Sequence, residues 1–307
     1  MTKRVSPWKP ALAAVALSAS FVLMGVWIRL MADSFATWQQ VWSRILVAGL
    51  IALAVFGWRI RWQVVRQLRP RDWMVYLVRG IMSYVVGVGL FTIAVQQTQL
   101  ATVSFVSSLP LMGVLGWLFF REKVKPMAIP FILLSVVGLA LLSGIFETGL
   151  TLGSGVVAAL VGLIGFDIGY LMSRHHPSQL TNFENTTLML LIGWVPILAV
   201  SLLVGEPLLS PHVSTVGWVV LVISGVSNVL GLIAINYIFA NMKAYVAGNL
   251  LLTEGVIALG IGLWLYHEIP TVPALVGAAI ILGCGYALSV IDAKSDRLEA
   301  VQSEVVS

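Results

Sequence analysis

The stretch Ala101–Glu122, ATVSFVSSLPLMGVLGWLFFRE, decides how the rest of this 307-residue chain reads. It is an apolar run about one bilayer long, at roughly 20 residues per crossing. It carries small residues, a mid-run proline and a charged stop. A related stretch returns 146 positions later as Ala247–Glu268, AGNLLLTEGVIALGIGLWLYHE. At that offset Ala101 meets Ala247, Gly116 meets Gly262, Phe120 meets Tyr266 and Glu122 meets Glu268. Each stretch is followed within a few residues by a proline and then by another apolar run containing glycine. One half is written twice.

The composition fits that reading. Hydrophobic residues make up 59% of the chain and charged residues 10%, against about 25% charged in a soluble domain. Too few charges exist to coat a water-exposed surface of this size, so most of the chain faces lipid or itself. The net charge of +5 does not point to nucleic acid, because the Lys and Arg sit in short connections between apolar runs. The single cysteine, Cys284, lies in an apolar run and excludes an intramolecular disulfide or a cysteine metal cluster.

Outward from the quoted stretch, apolar runs fall at 11–30, 37–58, 74–95, 100–120, 127–146, 153–173, 185–204, 215–238, 245–266 and 272–291. Each is close to the length that crosses about 30 Å of hydrocarbon as helix. A lipid-embedded backbone must satisfy its own hydrogen bonds, which leaves helices or closed barrels. The alternating polarity of a barrel strand is absent from FILLSVVGLALL at 131–142. The first run is expected as a retained span, since the apolar core of a signal peptide is only about 7–15 residues. The expected fold is all-α and integral to the membrane, with ten transmembrane helices. The expected division is a first five-helix repeat over 1–150, a second over 151–292, and a short cytoplasmic tail over 293–307.

The charges orient these spans. Fifteen of the eighteen Lys and Arg fall in one set of connections: Lys3 to Lys9, Arg59 to Arg71, Arg121 to Lys125, Arg174, Lys243, and Lys294 with Arg297. The alternate connections hold Asp33, Glu147, Glu206 and His267–Glu268. The positive-inside rule puts the basic side, and both termini, in the cytoplasm. Five spans per half is an odd number, so the second half enters from the opposite face and the repeat is inverted. Secondary transporters use that plan, with the substrate site between the halves.

Intramembrane charge is costly, about 2.5–3.5 kcal/mol on insertion scales, so each case needs a reason. Arg44 lies deep in the second run. It reads as an anion or carboxylate contact, or as a structural arginine holding carbonyls. Glu254 lies near the middle of the ninth run, where a desolvated carboxyl could exchange a proton or hold an amino group. The alternative is a neutral Glu bonded to a neighbouring helix. Asp167, in the sixth run, reads either as functional or as paired with Arg44 or another structural partner. Arg79 and Arg29 lie nearer run ends and read as snorkelling. Asn228 and Asn249 could read a polar substrate or bond between helices, and Tyr84 and Trp27 could wall a cavity. Gly162, Gly165 and Gly169 form a ladder on which another helix could pack closely. Pro110 removes one backbone bond from the fourth run. Its repeat partner is Val256, so a proline hinge belongs to one half only, and Ser108 corresponds to Glu254.

The five-plus-five plan, Arg44 followed by Ala48, and Ala101, Pro110 and Glu122 with their echo in Ala247 and Glu268 resemble the drug/metabolite transporter superfamily, of the ten-helix EamA type. The likeness runs from about Leu12 to Val290. It implies a secondary transporter, often an exporter of amino acids, their derivatives or other small metabolites, in a cytoplasmic (inner) membrane. It also implies a central cavity lined by the first, third, fourth, sixth, eighth and ninth spans, with the fifth and tenth peripheral. Glu122 and Glu268 match family positions at helix ends and read as structural or gate residues.

Two other classes compete: an intramembrane enzyme and a channel-like facilitator. The four histidines, His175, His176, His212 and His267, lie in connections or at span ends. Only Asp167 and Glu254 could form a carboxyl pair, and it is a mixed one. His175–His176 lack a partner at helical metal-ligand spacing, and no phosphate-binding loop is present. No catalytic residue, metal or cofactor is expected. The expected partners are a small-molecule substrate and membrane lipid, not nucleic acid; a homodimer is allowed but not required.

Overall fold

The computed structural model describes residues 8–97, 100–121, 124–145, 153–208, 210, 212–266 and 269–306. Among these, all regular structure is helical. The first half runs α1 (Trp8–Met31), α2 (Thr37–Phe56), a short α3 (Trp62–Arg66), α4 (Pro70–Gly80), a π-helical stretch Ile81–Gly89, α5 (Leu90–Gln97), α6 (Leu100–Ser107), α7 (Leu111–Phe120) and α8 (Ile129–Leu142). The second runs α9 (Ser154–Leu171), α10 (Asn182–Leu203), α11 (Thr215–Asn241), α12 (Ala244–Leu251), α13 (Thr253–Tyr266) and α14 (Val272–Val306). The tail expected as a solvated extension thus continues the last helix. Glu122, Glu147 and His267–Glu268 lie outside the described residues.

Among the described residues, six helical stretches are long and apolar enough to cross a membrane: Thr37–Arg59, Pro70–Gln97, Ser154–His175, Asn182–Leu203, Thr215–Asn241 and Val272–Ile291. Four shorter apolar stretches accompany them: Leu12–Ile28, Phe105–Phe119, Pro126–Leu142 and Ala244–Ile257. In order, these fall on the apolar runs of the sequence, and the run numbers serve below as span numbers. The outside is apolar too: Leu133, Leu203, Val216, Leu230 and Trp264 are all exposed. Such a surface suits hydrocarbon, not water.

Packing follows the repeat. The first span lies on the eighth and the third on the sixth, while the second lies on the seventh, the fourth on the ninth and the fifth on the tenth. Advancing each span by five turns the first–eighth pair into the sixth–third pair, and each of the other three into itself. Atomic detail agrees. A Cβ on Gly80 would sit 3.1 Å from the Gly193 Cα, and one on Gly225 would sit 3.3 Å from the Ala48 nitrogen. Positions 80 and 225, and 48 and 193, are each 145 apart, so the spans before the fourth align at an offset one shorter than the 146 of the fourth and ninth. Two repeats whose contacts exchange in this way are related by a pseudo-two-fold axis.

The second–seventh pair is fastened at both ends. At one end Glu184 accepts from the Arg61 backbone N–H (2.9 Å), Nε (3.0 Å) and Nη2 (2.7 Å). It also accepts from the Thr181 N–H at 2.7 Å, which caps α10. The paired carboxylate holds the Arg61 guanidinium above its ordinary pKa, chiefly through the hydrogen bond. At the other end Glu206 accepts from the N–H groups of Trp38 (3.1 Å) and Gln39 (2.8 Å) and so caps α2. A carboxylate there also complements the positive helix terminus. Arg61 and Glu206 are repeat partners, as are Gln39 and Glu184. On the basic side Arg174 donates to the carbonyls of Phe239 (3.0 Å) and Met242 (2.7 Å), closing the C-terminus of α11.

Candidate functional site

The fourth span is broken where it faces the interior. α6 stops at Ser107 and α7 starts at Leu111. Pro110 between them has φ −78° and ψ 52°, and the Leu111 N–H returns to the Leu109 carbonyl at 2.7 Å. That is an inverse γ-turn. It follows from a proline that offers no N–H and disfavours helix in the residue before it.

The sequence expected no such interruption in the ninth span, since Val256 replaces the proline. The structure differs: that helix also changes at Leu252, whose N–H bonds to the Asn249 carbonyl three residues back, at 3.3 Å. Side chains do the work there. Thr253 Oγ1 donates to the Leu250 carbonyl at 2.7 Å and meets Ser18 Oγ of α1 at 3.0 Å.

A cavity lies between these two interruptions. Its wall includes Ser108, Leu109 and Pro110 from the fourth span, Asp167 and Tyr170 from α9, and Glu254 from α13. The two intramembrane carboxyls that the sequence singled out therefore share one space. Asp167 is 4% exposed, and its Oδ2 has no hydrogen-bond partner. Among the described residues neither carboxyl is in an ion pair, so the expected alternative of an Asp167–Arg44 pair is not formed.

A second cavity adjoins the first and shares Phe21, Met24, Phe166 and Tyr170 with it. Trp27, Tyr84 and Asn228 line it. The Asn228 amide donates to the Ser224 carbonyl at 2.8 Å. Counting where they open outward, the cavities enclose about 600 and 630 Å³. Together their walls come from the first, third, fourth, sixth, eighth and ninth spans. Phe21 and Phe166 are 145 positions apart and meet edge to face at 6.1 Å. A residue that touches its own repeat partner lies at the pseudo-axis, so both cavities lie beside that axis.

Arg79 corrects the sequence reading. It was expected to snorkel, yet it is fully buried and lines the second cavity. The reason is a boundary: α4 begins at Pro70, four residues before the apolar run, which sets Arg79 about 14 Å along the helix. Its Nε donates to the Gly169 carbonyl at 2.9 Å, and its Nη1 donates to His176 Nε2 at 2.6 Å. An arginine cannot accept, so Nε2 does and the ring proton sits on Nδ1. Burial, then the Arg79 charge, push the His176 pKa down to about 2, which keeps that imidazole neutral. The ring stacks on Tyr76 at 5.1 Å.

Two expected site residues lie elsewhere. Arg44 is 2% exposed and lines neither cavity. Its Nε donates to the Gln40 carbonyl at 3.0 Å, and both terminal nitrogens lack partners. Asn249 faces the fifth span, accepting from Ser135 Oγ at 2.5 Å. The side chain of Arg29 is outside what the structure describes. Phe21, Phe166 and Arg79 were not among the expected site residues. The 146-residue offset read from the fourth and ninth runs sets Phe21 opposite Asp167, one position past Phe166, so it did not single out the aromatic pair.

Known proteins fit this architecture. A solved crystal structure of a protein superposes with a TM-score of 0.71 at 17% identity, over 93% of this chain and 96% of that one. At that identity the likeness shows the fold. No curated protein matches the chain. The EamA-like transporter family matches twice, over residues 8–144 and 153–290. The chain therefore belongs to the EamA-like transporter family and is a multi-pass membrane transporter of the drug/metabolite type.

Proposed function

We propose that the protein is a secondary transporter that exports a small polar or amphipathic metabolite, such as an amino acid or derivative, across the cytoplasmic membrane. It does so by alternating access. Ten spans cross the membrane with both termini cytoplasmic. The moving units are the repeats, 1–150 and 151–292, and 293–307 is a cytoplasmic tail. The carrying observation is the convergence of Asp167 and Glu254 on one cavity where the fourth and ninth spans lose regular helix. Transporters place substrate and coupling-ion sites at such discontinuities. Carboxyls there without an ion-pair partner suit a substrate amino group or a transferable proton. Trp27, Tyr84 and Asn228 wall the adjoining space. Arg44 and Asn249 enter the proposal only through a second conformation, since neither lines a cavity here.

The test is uptake by the purified protein in liposomes, using labelled amino acids and related metabolites with and without a pH gradient. Saturable uptake is expected. Asp167→Asn and Glu254→Gln should each lower it at least about tenfold, the range set by losing one charge-assisted contact. If Glu254 carries the proton, the response to the pH gradient disappears in Glu254→Gln. Unsaturable flux at conductance rates would mean a channel-like facilitator. Normal uptake by both variants would remove these carboxyls from the site.

A further inference from the structure

The second cavity holds a charge that the two carboxyls do not explain. Arg79 is fully buried, yet among the described residues no carboxylate pairs with it. The titratable groups facing it are Tyr76, Tyr84, Tyr170 and His176, and none of them is an anion at neutral pH. Its Nε and Nη1 are engaged by Gly169 and His176, while Nη2 is buried without a partner. Ser83 and Ser227 lie on the same wall, the Ser227 hydroxyl donating to the Ile223 carbonyl at 3.1 Å. A protein with no use for this charge could place an apolar residue there at less cost. A fixed guanidinium on a wall shared with the Ser83 hydroxyl, with no counter-charge among the described residues, is the chemistry of an oxyanion site.

We propose that Arg79 binds an anionic group of the ligand, a carboxylate or another oxyanion, in the second cavity. Gly169 and His176 hold the guanidinium from behind, and Nη2 remains to receive the anion. The shared wall of Phe21, Met24, Phe166 and Tyr170 then faces the apolar body of the same molecule. Asp167 and Glu254 stand at the far side of that wall. The ligand class that follows is an organic anion with an apolar portion. The word ligand rests on the transport reading only for its passage across the membrane; binding stands without it.

The experiment is thermal unfolding of the full-length protein in lipid nanodiscs at constant ionic strength. The probes are acetate, benzoate, 3-phenylpropionate and methylphosphonate, each beside a neutral amide or ester of the same shape. At least one anion, with benzoate or phenylpropionate ahead of acetate, is expected to raise Tm saturably while its neutral counterpart does not. Arg79→Gln should weaken that anion at least about tenfold, and Arg79→Lys should restore part of the loss because it keeps the charge but not the fork. Arg79→Met serves the same purpose if Arg79→Gln does not purify. No stabilisation by any of the anions overturns the proposal, as does equal stabilisation of the charge-removed variant. Uptake measured on the same proteins separates the two claims. Anion binding without any transport removes the transporter reading and leaves the site. Transport indifferent to Arg79→Gln, with no anion stabilisation, does the reverse.

Discussion

At the scale of single residues, the buried charges divide into those with partners and those without. Glu184 is fully partnered: it accepts from Arg61 and Thr181 through both backbone and side chain. Glu184→Ala strips all of these at once and leaves two backbone N–H groups to find water. A loss of about 1–3 kcal/mol is expected for buried donors left unpaired. It would be read as a lower unfolding midpoint in detergent, with ligand affinity unchanged because the latch is remote from both cavities. Asp167 Oδ2, Arg79 Nη2 and both terminal nitrogens of Arg44 are the opposite case, and unpartnered charge inside a membrane protein is the first place to test for function. The sequence disclosed Asp167 and Glu254 because a carboxyl in an apolar run stands out whatever the helix boundaries. It mis-set Arg79 because the depth of a residue near a run end depends on where the helix starts. That start was fixed by Pro70 at the first helical position, beyond the apolar run.

At the scale of elements, the third and sixth spans meet backbone to backbone beside the cavities. The glycine ladder of α9 was legible as small residues at helical spacing, and the third span is what it receives. A Cβ on Gly165 would lie 2.8 Å from the Gly87 nitrogen and 2.8 Å from the Met82 carbonyl oxygen. Backbone cannot yield as a side-chain tip can. Gly165→Ala is expected to cost about 1–3 kcal/mol through overpacking, lowering the unfolding midpoint. Gly260→Ala, where a Cβ would meet nothing within 4 Å, should leave it unmoved. The π-helical stretch Ile81–Gly89 lies opposite this ladder. Nothing in its composition announced it, since a one-residue widening of the helical hydrogen bond leaves the apolar pattern intact. The change in the ninth span was hidden for a related reason. It comes from Thr253 and Ser18, which are 235 positions apart in the chain, so no local pattern carries it.

At the scale of the molecule, the repeat was readable from one quoted stretch and its echo, because the same small residues, aromatic end and terminal Glu recur at one offset. Which spans pair was not readable. Apolar faces in lipid are interchangeable by composition, and the pairing is decided by small-residue contacts such as Gly80 with Gly193 and Gly225 with Ala48. The pairing matters for the proposed alternating access, in which the two related halves exchange roles. The asymmetry needed for transport sits at the centre, where Ser108 in one half faces the position of Glu254 in the other.

The most direct test of alternating access is therefore the accessibility of that centre. In a Cys284→Ala background, Ser108→Cys would carry the only thiol, in the wall of the first cavity. The protein, reconstituted in one orientation, would be exposed to a membrane-impermeant thiol reagent from one face at a time. Labelling from either face, with the ratio shifted by a transported ligand, is the predicted result. Labelling from a single face under every ligand condition would contradict a site that opens alternately to both sides.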